Sequence, residues 1–276
     1  MNDHEAMLAT ELGEAAYMEG AFAGTTSRVK DLMGMSTRRI GGGVVTVMAD
    51  DPTGGFWSRV IGLGMTEPVT EAVMDDVLRF GGDAGAKSLV FQMAPAAAGP
   101  WEQILTDRGL IPRTAWVKFA APVEAVHAEA GTDLRIAPLD RGDARRYADL
   151  MVEAFEMPAD SALPEWVTTQ VDLPNFHMYG AWDGDVLVAA ACLYAANGIG
   201  TLAGAGTLPD HRGRGGQTAL MSRRVADAAA LGCTWITAET GTETPEEPNP
   251  SLHNMRAIGL VELYERRNWL WRPSSQ

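Results

Sequence analysis

A short run rich in glycine and arginine carries the clearest chemical signal in the sequence. It reads His211-Arg-Gly-Arg-Gly-Gly-Gln-Thr-Ala-Leu220 and lies between a predicted strand and a predicted helix. Glycine lets the backbone curl so that several N–H groups point at one anion, and a helix that begins there adds the positive end of its dipole. The pattern predicts a site for a phosphate or pyrophosphate group. The alternative is an arginine-rich surface turn.

The charges around this run support an anion site. Residues 211–224 contain Arg212, Arg214, Arg223 and Arg224, in a chain with 22 Lys and Arg, 36 Asp and Glu, and a net charge of −14. A uniform spread would place roughly one basic residue in that window. An overall acidity of this size argues against nucleic acid and anionic membrane surfaces as partners.

Other chemical signals are weak or missing. No Gly-x-x-x-x-Gly-Lys-Ser/Thr motif occurs, and the dinucleotide-like match at residues 198–203 precedes a strand and opens no helix. His177 and His253 have no partner at metal-ligand spacing, so no metal site is expected. Cys192 and Cys233 predict buried thiols in a cytoplasmic protein. No apolar run of 18 residues predicts a membrane span.

The elements that must position the glycine run follow from hydrophobic patterning and turn residues. Residues 199–207 predict a strand, residues 217–231 a helix and residues 234–239 a second strand. Elsewhere the patterns predict helix over the first 36 residues, a helix capped by Thr66, a hairpin over residues 178–193 and closing strands over residues 261–271.

The order of elements occurs twice along the chain. A strand, a helix, a strand, a short helix, a Gly-Leu pair and a strand recur, with Gly109 and Gly259 separated by 150 residues. This predicts an α/β protein with domains at residues 1–120 and 133–276, joined by a linker at 121–132. The alternative is a coincidence of common α/β elements. In the first half, the segment matching the glycine run is acidic and lacks glycine, Thr66-Glu-Pro-Val-Thr-Glu71.

The segment Arg212-Gly-Arg-Gly-Gly-Gln217 resembles the Arg/Gln-x-x-Gly-x-Gly/Ala loop of GNAT-type N-acetyltransferases. The resemblance covers about residues 133–272. It implies two tandem GNAT-like domains, each with a mixed, mostly antiparallel central sheet flanked by helices, of which the first is a degenerate copy without the loop. One residue departs from the pattern, because Gln217 stands where the family has a small residue.

The resemblance also implies a cosubstrate, acetyl-CoA, and no metal. By position, the residues that would bind it are Ala205, Gly206, Thr207, Arg212, Gly213, Arg214, Gly215, Gly216, Gln217, Thr218 and Asn254. The first three would pair with the pantetheine arm through their backbone, and the loop would hold the pyrophosphate.

The implied reaction is direct attack of a small-molecule or peptide amine on the acetyl thioester in a ternary complex. Glu239, at the end of a predicted strand, is the candidate general base, and Glu156 is a weaker candidate on the acceptor side. Met255 occupies the place of the family's usual tyrosine acid. Two alternatives stay open: transfer of a longer acyl group or transfer to an O- or S-acceptor, and a non-catalytic CoA sensor or interaction module. The acceptor, the general acid and the oligomeric state, including a homo-oligomer, are open.

Overall fold

The computed structural model of the protein describes residues 3–127 and 131–273. The helices in these residues are α1 (Asp3–Ala23), α2 (Ser27–Met33), α3 (Glu71–Asp83), α4 (Trp101–Asp107), α5 (Ala144–Ala154), α6 (Leu163–Thr169), α7 (Gly216–Ala230) and α8 (Pro250–Ala257). The strands are β1 (Met35–Ile40), β2 (Gly43–Met48), β3 (Arg59–Ile61), β4 (Leu89–Gln92), β5 (Ile111–Pro122), β6 (Arg135–Pro138), β7 (Phe176–Asp183), β8 (Val186–Ala196), β9 (Ile199–Thr207), β10 (Trp235–Gly241) and β11 (Val261–Trp271). None of these helices has the length and hydropathy needed to cross a lipid bilayer.

The chain forms two compact units, and each has a mixed, mostly antiparallel sheet flanked by helices. The C unit consists of Met1–Gly13 and Val117–Leu263, and the N unit consists of Glu14–Trp116 and Tyr264–Gln276. The domain division at residues 1–120 and 133–276 comes from the sequence alone and stays a prediction.

The C unit has the strand order β5-β10-β9-β8-β7-β6. Strands β6 to β9 pair antiparallel with their neighbours, and β9 pairs with β10 in parallel. Helices α5 and α7 pack against β8 and β9. The core contains Leu193, Leu220, Val225 and Ile236, all of which are buried. This burial of apolar faces holds the predicted loop between β9 and α7.

The N unit has the strand order β1-β2-β3-β4-β11. Strands β1 to β3 are antiparallel, β3 and β4 are parallel, and β4 and β11 are antiparallel. Its core contains Val60, Val77, Phe91 and Trp269. The order of elements around its parallel pair, a strand, then α3, then a strand, repeats the order of β9, α7 and β10 in the C unit.

Each unit is completed by a strand from the other half of the chain. From Val117 onward β5 belongs to the C unit, where the N–H of Val123 donates to the C=O of Thr234 at 3.0 Å. From Tyr264 onward β11 belongs to the N unit, where Asn268 pairs with Gln92. The closing strands predicted over residues 261–271 are therefore one continuous strand.

Two predicted elements near the start of the chain differ from the structure. The helix predicted within the first 36 residues is interrupted: α2 begins after Thr26, whose side chain accepts a hydrogen bond from the N–H of Val29, and ends at Gly34, which has a φ of +57°. Thr66 does not cap a helix, because α3 begins after Thr70, which accepts from the N–H of Val73 at 3.2 Å.

Candidate functional site

Strands β9 and β10 run side by side and then separate. Their residues pair in parallel from 199–202 to 235–238. Beyond this ladder β9 continues to Thr207 and β10 continues to Gly241. Residues 203–207 and residues 239–241 are therefore not paired with each other, and we call the region between these strand ends the strand-end slot. Backbone groups on its edges take no part in the ladder between the two strands, so they suit a ligand that inserts there as an added strand would.

A β-bulge shapes the β9 edge of the slot. The ladder between β8 and β9 contains one extra residue on β9 between Ala203 and Gly206. Gly204 lies in the bulge with a φ of +43°, a conformation that favours glycine. A bulge bends its strand and increases its twist, which agrees with the separation of β9 from β10. The predicted residues Ala205, Gly206 and Thr207 follow the bend.

The backbone of Thr207 faces away from β8. The N–H of Leu208 donates to the C=O of Val188 at 3.0 Å. Because backbone groups alternate in direction along an antiparallel strand, the N–H and C=O of Thr207 point to the open side. Gly206 lies against α5, since a Cβ added to it would be 2.8 Å from the Cβ of Ala154. The structure thus requires a residue without a side chain at position 206.

The predicted phosphate loop leads directly into α7. Gly213 and Gly215 have φ values of +77° and +76°, and α7 begins at Gly216. Within the described part of the chain, no side chain caps this helix start. The first N–H groups of α7, which include those of Gln217 and Thr218, have no partner within the helix. A glycine turn at an uncapped helix start is a geometry that suits an anionic group.

The side chain of Gln217 connects the helix start to the end of β9. Its Nε2 donates to the C=O of Gly206 at 2.9 Å and to Oγ1 of Thr207 at 2.8 Å. A small residue at this position could not make either bond. The departure from the family pattern is accommodated because the side chain reaches β9, while the backbone N–H of Gln217 remains part of the helix start.

Two of the four arginines in the loop region have structural partners inside the fold. Arg223 pairs with Asp227 at 3.0 Å. Arg224 is buried and donates to the C=O of Cys192 at 2.9 Å, and burial lowers its pKa to about 10. The side chains of Arg223 and Arg224 are therefore not part of the positive charge at the glycine loop, contrary to the expectation from the sequence.

Arg214 also has internal partners. Its guanidinium forms two bonds with Asp133, one of them from Nε at 3.2 Å, and one from Nη1 to Asp183 at 2.5 Å. Nη1 also lies 3.2 Å from Nδ1 of His211. Hydrogen bonds from Arg214 lower the pKa of both carboxyl groups, and these bonds raise the pKa of Arg214. Among the described residues, Arg212 is the exposed arginine of this region, and its side chain makes no hydrogen bond or ion pair.

Glu239 stands at the β10 edge of the slot and pairs with a lysine. Its Oε2 accepts from Nζ of Lys118 at 3.0 Å, and the two side chains are 16% and 2% exposed. The N–H of Val123, just after β5, donates to the C=O of Thr234, just before β10, so counting five residues in opposite directions into these two neighbouring strands places Lys118 opposite Glu239. Lys118 was not predicted from the sequence, although a single charged residue in the apolar run Val117-Lys-Phe-Ala-Ala121 was a usable signal.

Comparison with known proteins identifies the domain that carries this slot. Residues 145–255 match the model described as the acetyltransferase (GNAT) family. Residues 145–255 belong to the GNAT acetyltransferase family. This segment of the chain, the GNAT domain, contains β9, the glycine loop, α7 and β10. Acyl transfer is the general activity of this family.

Solved structures resemble the chain in fold over most of its length. A GCN5-related N-acetyltransferase from Kribbella flavida is 16% identical, with a TM-score of 0.62 and coverage of 95% of this chain and 96% of that one. A tandem GNAT protein from the clavulanic acid biosynthesis pathway is 11% identical, with a TM-score of 0.62 and coverage of 99% and 95%. A GCN5-related N-acetyltransferase from Sphaerobacter thermophilus is 13% identical, with a TM-score of 0.57 and coverage of 85% and 82%. A search of curated proteins found no match. The similar folds support two tandem GNAT-like domains.

The remaining predicted residues lie just after α5 or in α8. Glu156 is exposed, follows the end of α5 and has a φ of +51°. Asn254 lies inside α8 and is half-buried, whereas the cap of that helix is Asn249. Met255 is a buried residue of the core, 6% exposed. A thioether in the core has no proton to give, so position 255 supplies no acid.

The described residues of the N unit show neither feature of the slot in the GNAT domain. Strands β3 and β4 end at Ile61 and Gln92, and these two residues are themselves paired. Beyond the strands the chain bonds to itself: the N–H of Ala98 donates to Gly64 at 2.8 Å, and the N–H of Val69 donates to Ala98 at 2.8 Å. Together with the Thr70 cap of α3, these bonds pair backbone groups whose counterparts in the GNAT domain, at the strand ends and the start of α7, have no such partner among the described residues.

No group of three or more His, Cys, Asp or Glu side chains in residues 3–127 and 131–273 is arranged to hold a metal ion.

Proposed function

We propose that the protein transfers an acetyl group from acetyl-CoA to an amine of a small molecule or peptide in a ternary complex. The observation that carries the proposal is the uncapped start of α7 beside the strand-end slot. A pyrophosphate fits the N–H groups of residues 215–218 with Arg212, and an extended arm fits the backbone edge of Ala205 to Thr207. In this proposal Arg214 serves the loop as an anchor.

The side chains of the slot have defined tasks in this reaction. Acetyl-CoA supplies an activated thioester, whose C–S bond breaks as the amine forms the new C–N bond. Backbone N–H groups at the β9 edge stabilise the negative charge on the carbonyl oxygen. Glu239 takes the proton of the attacking amine, directly or through a water. The thiolate leaves without help from position 255.

Calorimetry tests the binding step. We expect one acetyl-CoA per chain, because the N unit closes its own corresponding gap. Arg212→Ala should weaken binding at least tenfold, whereas Arg38→Ala, which removes another exposed arginine outside the GNAT domain, should not. Absence of binding at near-millimolar acetyl-CoA overturns the proposal, and two equivalent sites would contradict the role given to the N unit.

Release of free thiol tests the chemical step. With acetyl-CoA and a pool of metabolite amines, Glu239→Gln should lower turnover at least a hundredfold and leave the Kd of acetyl-CoA unchanged. Turnover measured with a panel of acyl-CoA compounds distinguishes transfer of an acetyl group from transfer of a longer acyl group. Mass spectrometry of the products distinguishes N-acylation from O- or S-acylation.

A second candidate function is a non-catalytic CoA-binding sensor or interaction module. The buried Met255 at the place of the usual acid favours it. Binding of acetyl-CoA without turnover, over the full panel of amines, would support this second function over the first.

A further inference from the structure

Arg214 lies at the centre of a cluster that joins three segments of the C unit. Asp133 comes from the segment before β6, Asp183 ends β7, and His211 stands at the start of the glycine loop. Asp133 receives two bonds from one guanidinium, the bidentate geometry that makes such pairs strong. The side chain of Arg214 is 29% exposed, whereas those of Asp133 and Asp183 are 67% and 45% exposed, so the guanidinium is partly shielded and the carboxylates lie at the surface.

The backbone of the loop is attached to the same neighbouring segment. Oγ1 of Thr132 donates to the C=O of Arg214 at 2.8 Å and accepts from the N–H of Leu134 at 3.2 Å. Gly215 packs so closely that a Cβ on it would lie 2.4 Å from the C=O of Gly131. The loop is therefore held by a side-chain cluster and by main-chain contacts, both to residues 131–134.

We propose that Arg214, Asp133 and Asp183 form a latch that holds the glycine loop in its cofactor-binding conformation, with Arg214 as a positioning residue that does not contact the phosphates. This inference rests on the proposed function. Its physical basis is that the guanidinium of Arg214 already directs its N–H donors to two carboxylates, so few donors remain for a third anion. A turn that is already ordered also loses less conformational freedom when the ligand binds.

The opposite role for Arg214 predicts an opposite result. If Arg214 were a phosphate ligand, the two carboxylates would compete with the phosphates, and Asp133→Asn with Asp183→Asn would strengthen binding of acetyl-CoA. The latch predicts that the same double variant weakens binding, about three- to tenfold, because the loop loses its anchor while Arg214 is intact. The sign of the change in Kd decides between the two roles.

Salt dependence gives an independent measure. Each cation that contacts a phosphate contributes to the fall of affinity with ionic strength. Arg214→Ala should weaken binding of acetyl-CoA about tenfold but keep the wild-type slope of log Kd against log salt. Arg212→Ala should reduce that slope. A reduced slope for Arg214→Ala, like that of Arg212→Ala, overturns the latch.

Hydrogen exchange without any ligand separates this inference from the proposed function. Peptides that cover residues 211–218 should exchange faster in Arg214→Ala and in the double Asn variant than in the wild type, while peptides from β7 and β8 keep their protection. If the wild type does not bind acetyl-CoA but the loop loosens as expected, the proposed function fails and the latch stands. Unchanged exchange in the loop overturns the latch.

Discussion

At the scale of single residues, the candidate site depends on pairs that are distant in sequence. Lys118 and Glu239 are 121 residues apart and form a pair that is nearly buried. A carboxylate at such a position needs a partner because the loss of hydration is costly. Glu239 is therefore held at the edge of the slot by a residue from the first half of the chain.

Loss of one partner of this pair should destabilise the protein. We expect Lys118→Met to lower the free energy of unfolding by about 1–3 kcal/mol, because the half-buried Glu239 would lose its ion pair with a buried lysine. Urea unfolding measures the change, and Lys87→Met is the control, since Lys87 and Asp50 are exposed at 77% and 66% and 3.8 Å apart. The double variant Lys118→Met with Glu239→Gln should lose less than the sum of the single variants. Additive losses would contradict direct coupling.

The residue types of the loop could be predicted from the sequence, but their partners could not. Glycine at positions 213 and 215 follows from the turn that precedes α7, and both adopt a positive φ. The roles of Arg214 and Arg224 depend on which carboxylates and carbonyls fold beside them, and these come from residues 31 to 81 positions away. A count of charges in a window could not distinguish a guanidinium that faces solvent from one that is already paired.

At the scale of elements, two glycines of the same turn differ in what surrounds them. Both need a positive φ, which costs another residue about 1–2 kcal/mol. A Cβ at Gly213 meets nothing within 4 Å, whereas one at Gly215 lies 2.4 Å from the C=O of Gly131. Gly213→Ala should therefore keep most of the affinity for acetyl-CoA. Gly215→Ala should shift the loop and reduce binding at least a hundredfold, as calorimetry would measure. Equal effects of the two variants would show that backbone conformation alone matters.

Elements with strong end signals were predicted well. The strand predicted at 199–207 agrees with β9, because the Asn197-Gly198 turn and Pro209 bound it on both sides. Strand β1 was missed: its residues, Met-Ser-Thr-Arg-Arg-Ile, show little alternation, and the strand forms because β2 lies beside it. The bulge at Gly204 could not be predicted from the sequence either, because a bulge depends on the register between two paired strands.

At the scale of the whole molecule, the repeat predicted the tandem fold but not its exchanged strands. The Gly-Leu pairs separated by 150 residues indicated two similar halves, and similar structures agree. A sequence repeat describes the order of elements within each half. This order does not indicate which of the two sheets is joined by the strand that follows each Gly-Leu pair, which is β5 in the first half and β11 in the second.

The exchange of β11 brings together residues near the two ends of the described chain. Arg266 is fully buried and donates to Glu14 at 2.6 Å, across 252 positions of sequence. Arg266→Met should lower the free energy of unfolding by about 1–3 kcal/mol, because the buried Glu14 loses its closer cation and keeps the longer contact with Arg59 at 3.8 Å. The neighbouring Arg267 is exposed, so Arg267→Met should change it by less than about 0.5 kcal/mol. Thermal and urea unfolding followed by tryptophan fluorescence would measure both, and similar losses for the two variants would contradict this account.

The exchanged strands also set an order of events during protein synthesis. Strand β4 receives its partner β11 only after residue 271 has been made, so the N unit, although most of it is made earlier, cannot complete its sheet before that point. The C unit already has β5 when β10 is synthesised and can close its sheet earlier. On the ribosome the sheet of the C unit can therefore close before that of the N unit. Until then the open edge of β4 is the surface that a chaperone would need to cover.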